Sequence, residues 1–285
     1  MMRRAAPCVL RIIVLVVLSL SWGGPTAWIE AQELERRPLW VTSPWLALMC
    51  RFVGGVYVDI QPLSFWEEGR LVMPKTTLPE GAIVIALDAR EVRRFGFKTD
   101  GVEVRTLYGS LPLEEAERER LFLDPAGLPF LGQRLLIVLA AIDKERYSYY
   151  QRRLAEFQSR LESTVDVGRQ VIGDALILDL TGRSSLLIEG AVKTPIRPPQ
   201  AVWEKWEKGE GYSSLRLSLQ EARRRDWFVV TDVWTPESVL MEAQASGPVV
   251  QLPGPNIDED LFLYLYDQYL EIWNAVRQRE SGRRP

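Results

Sequence analysis

The sequence predicts a two-lobed α/β protein, each lobe a mostly parallel β-sheet flanked by helices, with one long linker helix joining them. Three observations carry this. Short apolar runs of strand character alternate with helical patterns in both halves of the chain. One run, Ala82 to Leu87 (AIVIAL), is apolar on both faces, as a strand covered by helices on each side must be. Between the halves, Tyr147, Tyr150, Leu154, Phe157 and Leu161 recur at helical spacing, opposite a face carrying Lys144, Arg152, Arg153 and Arg160.

The elements follow in chain order. Leu39 to Thr42 reads as a first strand, and Ser43-Pro44 as a cap with proline in the first turn of a helix ending at Gly54-Gly55. Val56 to Leu63, Ala82 to Leu87 and Val102 to Leu107 read as the next strands, with Ser64 to Arg70 as a loop between the first two. Gln133 to Ile142 is strongly apolar, and Asp143 is placed to cap the linker helix. In the second half, Ala175 to Leu180 and Ser185 to Glu189 are expected as strands, and Ser213 to Arg225 as a helix. Trp227 to Thr231 reads as a strand, and Thr235-Pro236-Glu237 as a helix start with an acid on the helix dipole. Val249 to Leu252 and the helix Asp258 to Arg279 complete the pattern. The lobes are expected at 32–142 and 166–285, with the linker helix at 143–165.

Residues 1–31 have the pattern of a signal peptide. Arg3, Arg4 and Arg11 precede the apolar run Ile12 to Leu18, which Ser19, Leu20 and Ser21 extend to Trp22. The run is shorter than the roughly 20 apolar residues a spanning helix needs. A periplasmic or otherwise extracytoplasmic location is therefore expected. Removing this segment's +2 from a chain at −3 leaves −5, the opposite of a nucleic-acid footprint. Of two cysteines, Cys8 falls in the signal. Cys50 then has no partner for an internal disulfide, and its apolar surroundings mark it as a buried small hydrophobe. The chain has no histidine, which excludes Ser-His-Asp and Cys-His catalysis. No phosphate-cradling glycine motif is present.

Four stretches resemble the extracytoplasmic solute-binding proteins that deliver zinc or manganese to ABC importers. They are Val41-Thr42-Ser43-Pro44-Trp45-Leu46 with Gly54-Gly55 and Val58; Leu123-Asp124-Pro125; the linker helix bearing Tyr150, Phe157 and Leu161; and Gly247 to Leu252 with the aromatic-rich helix after it. The resemblance implies two rigidly joined lobes, a ligand cleft between them, a monomer, and an ABC permease as partner. It also implies a metal held by imidazoles and a carboxylate, and here the sequence departs from the pattern. Arg120 stands where the family's H-x-W-x-D-P motif has histidine. Gly173, matched through Gly173-Asp174-Ala175, replaces the third ligand, and Pro253 replaces the fourth. No metal or other cofactor is expected.

Candidate cleft residues are Trp66, Glu67, Glu68, Arg120, Asp174 and Asp232. Arg120 has only donors and stays charged, so it repels a metal and suits a carboxylate or other anion. The structural reading is an inter-lobe salt bridge or a surface charge, with Glu67, Glu68 or Asp174 as the neutralising acid. The four carboxylates are alternatively an oxygen-rich Ca²⁺, Mg²⁺ or Mn²⁺ site, or solvated loop charges. Trp66 is a stacking platform or plain packing, and the same choice applies to Trp203 and Trp206. The sequence thus supports a non-enzymatic solute-binding protein with an altered or degenerate site. Two alternatives stand: a degenerate member acting as a protein-interaction module, marked by a plugged cleft, and a carboxylate-dependent hydrolase, marked by two convergent acids.

Overall fold

The chain's computed structural model describes residues 36–96 and 100–282; the expected signal segment, 1–31, lies outside them. The first half builds a four-stranded, all-parallel sheet from β1 (Arg37–Val41), β2 (Val58–Pro62), β5 (Ile83–Ala86) and β6 (Glu103–Thr106), in the order β2-β1-β5-β6. Val41 pairs with Pro62 on one side and Ile85 on the other. Strand order therefore reverses between β1 and β5, and the loops leaving their carboxyl ends diverge. A crevice opens at such a switch point.

Between β2 and β5, the stretch expected as a loop is a small antiparallel hairpin, β3 (Phe65–Glu67) and β4 (Arg70–Val72). Its turn is Glu68-Gly69, with φ of 49° and 75°. Two successive positive φ values make the turn whose twist matches antiparallel strands, and glycine accepts that conformation without a Cβ penalty.

The second half has a three-stranded parallel sheet, β7 (Ile177–Asp179), β8 (Phe228–Thr231) and β9 (Val250–Gln251), in that order. An isolated parallel bridge from Leu178 to Ile196 lies beside β7. With it, the second sheet repeats the order of the first.

Helix α1 (Pro44–Gly54) follows β1, and the Ser43 side chain accepts from the Leu46 N–H at 3.5 Å. Ten of its eleven residues are buried, so it is a core helix rather than an amphipathic cover. Next come α2 (Ala89–Phe95), α3 (Glu115–Arg120), α4 (Leu128–Ile142) and the linker α5 (Tyr147–Ile172). At 26 residues α5 is about 39 Å long. The buried stripe runs on past the predicted Leu161 to Val165, Gly168 and Ile172. Asp143 does not cap α5 through its side chain. A 3-10 turn, Lys144–Arg146, intervenes, and the chain enters the helix at Arg146.

The second half adds α6 (Ser185–Ala191), α7 (Gln200–Glu207), α8 (Tyr212–Arg224), α9 (Glu237–Ser246) and α10 (Leu261–Gly282). Ser185 to Glu189, expected as a strand, is thus helical. A five-residue segment with only three apolar residues, Leu186 to Ile188, does not separate the two states, and packing against α5 decides it. Thr235 does not cap α9 either, because its hydroxyl donates to the Leu180 carbonyl and Pro236 occupies the cap position.

One hydrophobic core runs from Leu39 through the α5 stripe to Ile272, taking in both lobes. A second, smaller core under α7, α8 and α9 holds Trp203 and Trp206. The indole N–H groups of these two donate to Glu207 and Ser214, so both tryptophans are packing residues remote from any cleft.

Candidate functional site

The carboxyl ends of the two sheets meet at a junction built around Trp45. Its capped helix start leaves the indole 1% exposed, with four aromatic rings around it. Trp66 of β3 lies at 4.5 Å edge-on, Tyr264 of α10 at 5.4 Å, and Trp234, after β8, at 6.4 Å. Phe122, in the 3-10 turn after α3, stacks at 6.4 Å. Two of these rings belong to the second lobe. The sequence marks the pairing: Val41-Thr42-x-x-Trp45 follows a central strand in one lobe, and Val230-Thr231-x-x-Trp234 follows one in the other.

Polar bonds close the junction. Arg120 Nη2 and Nε donate to the Gly182 carbonyl at 2.9 and 3.3 Å. Beside it, Arg183 forms an ion pair with Glu119 and lies 4.9 Å over the Trp234 ring. Trp234 Nε1 donates to the Gly69 carbonyl in the hairpin turn at 2.8 Å. Gly182 packs so tightly that a Cβ would fall 2.3 Å from the Trp234 carbonyl oxygen, so a side chain there would push the two loops apart.

Asp232 holds the second lobe's half of the junction. One carboxylate oxygen accepts from the N–H of Gly182 and of Trp234 and from the Thr235 hydroxyl; the other accepts from the N–H of Arg183 and of Ser184 and from the Ser184 hydroxyl. The bonds run from 2.8 to 3.1 Å. This carboxylate ties the loop after β7 to the loop after β8 and has no lone pair left for a metal. Asp88 plays a similar part after β5, accepting from Arg90, Glu91, Leu111 and the Arg118 guanidinium.

The six candidate residues divide accordingly. Trp66, Arg120 and Asp232 come together at the junction. Glu67 and Glu68 are exposed on the hairpin rim. Asp174 is exposed at the amino end of β7, the opposite end from the junction, where it pairs with Lys193 at 2.6 Å. None of these three acids pairs with Arg120, whose described partner is a carbonyl. Gly173 lies at the same remote end, so the loop from Leu180 to Ser184, not Gly173, brings the second lobe to Arg120. The three-residue match on Gly-Asp-Ala placed it at the wrong end of the strand. Pro253 follows β9 at the junction end.

The residues present do not fit the divalent metal that the resemblance implies. A guanidinium stands at the junction, the nearby carboxylate is saturated, and among the described residues no group of three or more His, Cys, Asp or Glu gathers for a metal. Among the described residues the unmet buried groups here are mostly ones that can donate, with Gln268 Oε1 on α10 an acceptor and Glu119 Oε2 ion-paired with Arg183. Nε1 of Trp45, Nε1 of Trp66, the Tyr264 hydroxyl and the Thr231 hydroxyl are buried with no hydrogen-bond partner among the described residues. Sequence reasoning missed Trp45, Tyr264, Trp234 and Gly182, because buried aromatics and a loop glycine carry no mark of position. The paired Val-Thr-x-x-Trp segments were the available signal.

The chain has the fold of the periplasmic metal-binding proteins. Its neighbours among solved structures include ZnuA, at 15% identity and a TM-score of 0.59, covering 84% of this chain and 99% of ZnuA. The SBP FpvC of Pseudomonas aeruginosa, solved in complex with Mn²⁺, matches at 12% identity and 0.56, over 86% and 100% of the two chains. The Mn-bound periplasmic metal binding protein of Candidatus Liberibacter asiaticus matches at 11% and 0.57, over 85% and 100%. No family model and no curated protein matches the sequence.

Proposed function

We propose that the chain is the extracytoplasmic solute-binding component of an ABC import system, with its solute site at the Trp45–Arg120 junction and no transition metal in it. The fold, shared over nearly the whole length of the neighbours, supports the class. The expected signal segment supports a place outside the cytoplasmic membrane, and the likeness to ABC-importer binding proteins supports a membrane permease as partner. One observation carries the altered chemistry. Arg120, which the motif resemblance sets against a family histidine, donates across the lobes to the Gly182 carbonyl. A permanent positive charge there opposes a metal cation by several kcal/mol in a partly buried setting.

The test is purification of the tagged chain from its own cells under gentle solubilisation. An integral-membrane permease and its ATPase in the eluate support the reading; folded, extracytoplasmic protein that captures neither overturns it. A second reading, a protein-interaction module without a small solute, draws on the closed junction itself, which three inter-lobe contacts hold shut. A chain that captures the permease but takes up no solute of any class fits that reading. The hydrolase alternative finds no support, since the candidate acids do not converge.

A further inference from the structure

Most of the junction's buried groups that lack a hydrogen bond among the described residues can donate; the acceptors among them are Glu119 Oε2, which is ion-paired with Arg183, and Gln268 Oε1, one turn along α10 from Tyr264. Nε1 of Trp45 and of Trp66 can only donate, and the Tyr264 hydroxyl has no acceptor. Trp45 and Tyr264 are 1% and 2% exposed, so bulk water does not reach these groups. Burial first, then the charges of Asp232 and Glu259, push the Tyr264 phenol well above its ordinary pKa, which keeps it a donor at neutral pH. Native structures leave few such groups unsatisfied, and each needs an explanation.

Arg120 adds charge to the same place. Phe122, two residues on, stacks against Trp45, and Gly182, which Arg120 contacts, is bonded to Asp232. The guanidinium donates to one neutral carbonyl and forms no ion pair with any described carboxylate. The acids nearby are committed, Asp232 to six hydrogen bonds and Glu119 to Arg183. Donors and one positive charge, walled by aromatic rings, are the complement of an organic anion: acceptor oxygens at one end and a flat or apolar body at the other.

We infer that the junction binds a small organic carboxylate, held by Arg120, the two indole N–H groups and the Tyr264 hydroxyl, with the carboxylate replacing the Gly182 carbonyl as the partner of Arg120. The inference rests on the solute-binding reading above and names its ligand class. Because the rings already touch, entry requires the Arg120–Gly182 and Trp234–Gly69 bonds to open. The tryptophans at the site then report binding through their fluorescence.

The experiment titrates the purified secreted protein with benzoate, acetate and inorganic phosphate, read by calorimetry and by tryptophan fluorescence. Benzoate is expected to bind at one saturable site, acetate more weakly, and phosphate more weakly still. Arg120→Gln should weaken benzoate at least tenfold and Tyr264→Phe severalfold, while Arg120→Lys retains part of the affinity. Melting curves on each variant separate lost binding from lost folding. Three results overturn the inference: no carboxylate bound by a natively folded protein, which leaves buried water as the donors' partner; benzoate affinity unchanged in both Arg120→Gln and Tyr264→Phe; or phosphate bound as tightly as benzoate. Capture of the permease alongside any of these leaves the import reading standing and rejects only the ligand class.

Discussion

Replacing Asp232 separates a structural carboxylate from a ligand-facing one. Its two oxygens each accept three hydrogen bonds, from four backbone N–H groups and two hydroxyls. The residue is 1% exposed. In Asp232→Ala five donors lose their acceptor, while the Thr235 hydroxyl keeps the Leu180 carbonyl. An unmade buried hydrogen bond costs about 1–3 kcal/mol, but water entering the vacated space and movement of the two loops recover part of that sum. A net loss of about 3–5 kcal/mol is expected, a large share of the roughly 5–15 kcal/mol that stabilises a typical domain. Asp232→Asn is the sharper variant because it keeps the volume. Either way the amide is turned, its NH₂ faces three donors, so about 2–3 kcal/mol should still be lost. A cleft-facing carboxylate would tolerate the amide and lose only ligand. Equilibrium unfolding in urea, followed by circular dichroism without ligand, measures the difference. A loss below about 1 kcal/mol for Asp232→Asn would refute the assignment of this carboxylate to the loop tie.

Other expectations follow from the same contacts. Burial pushes the Asp88 carboxyl up, but the N–H bonds from Glu91, Leu111 and Arg90 and the Arg118 charge outweigh it and hold the pKa below the ordinary 3.8. Its contribution to stability is therefore present above the ordinary value and lost as pH falls through the lower folded one. Asp88→Asn should cost about 3 kcal/mol near neutrality and visibly less at about pH 3, read by denaturant midpoints. Cys50 is fully buried and burial raises its thiol pKa, so it should resist a thiol reagent in the native protein and react once in denaturant. Calorimetric titration with Zn²⁺ is expected to show no stoichiometric submicromolar site, and one that appears would return the junction to metal chemistry. Because the lobes share a core along α5, X-ray scattering with and without a bound solute should show little change in overall size. A wide hinge closure would contradict that.

The fold was legible where the apolar period is long or unbroken. AIVIAL has no polar face, and the α5 stripe holds its spacing over several turns, so both elements could be placed from the residues alone. Ser185 to Glu189 could not, because its state is decided by contact with α5, not by its own pattern. The hairpin at 65–72 was hidden for a local reason. Glu68 takes a positive φ beside Gly69, and only the glycine advertises that conformation. Arg120 could be found because Leu-Asp-Pro fixes its register. Asp232 was singled out, but its role depends on partners 48 to 50 residues away, and no sequence window reveals those. The aromatic junction was the least legible part. Tryptophan in an apolar stretch reads as core, and Trp45 is core by burial; only its unmet N–H shows that packing is not its whole role.

The charges at the junction act together. A divalent cation needs electron-pair donors on both lobes, and among the described residues no group of three or more His, Cys, Asp or Glu gathers to supply them. Here the first lobe supplies a cation of its own, Arg120, and the second answers with the Gly182 carbonyl, held in place by Asp232. Glu119 and Arg183 repeat the cross-link with a full ion pair. The lobes are thus closed by the protein's own charges. That closure leaves a guanidinium satisfied by a neutral oxygen, beside indole and phenol donors satisfied by nothing. The Arg120–Gly182 bond carries charge on its donor only, whereas a carboxylate adds an opposite charge and a second acceptor oxygen that matches the guanidinium fork. On the proposed reading a carboxylate therefore binds this arrangement more strongly than the carbonyl it displaces, and the closed junction is the resting state from which such an exchange begins.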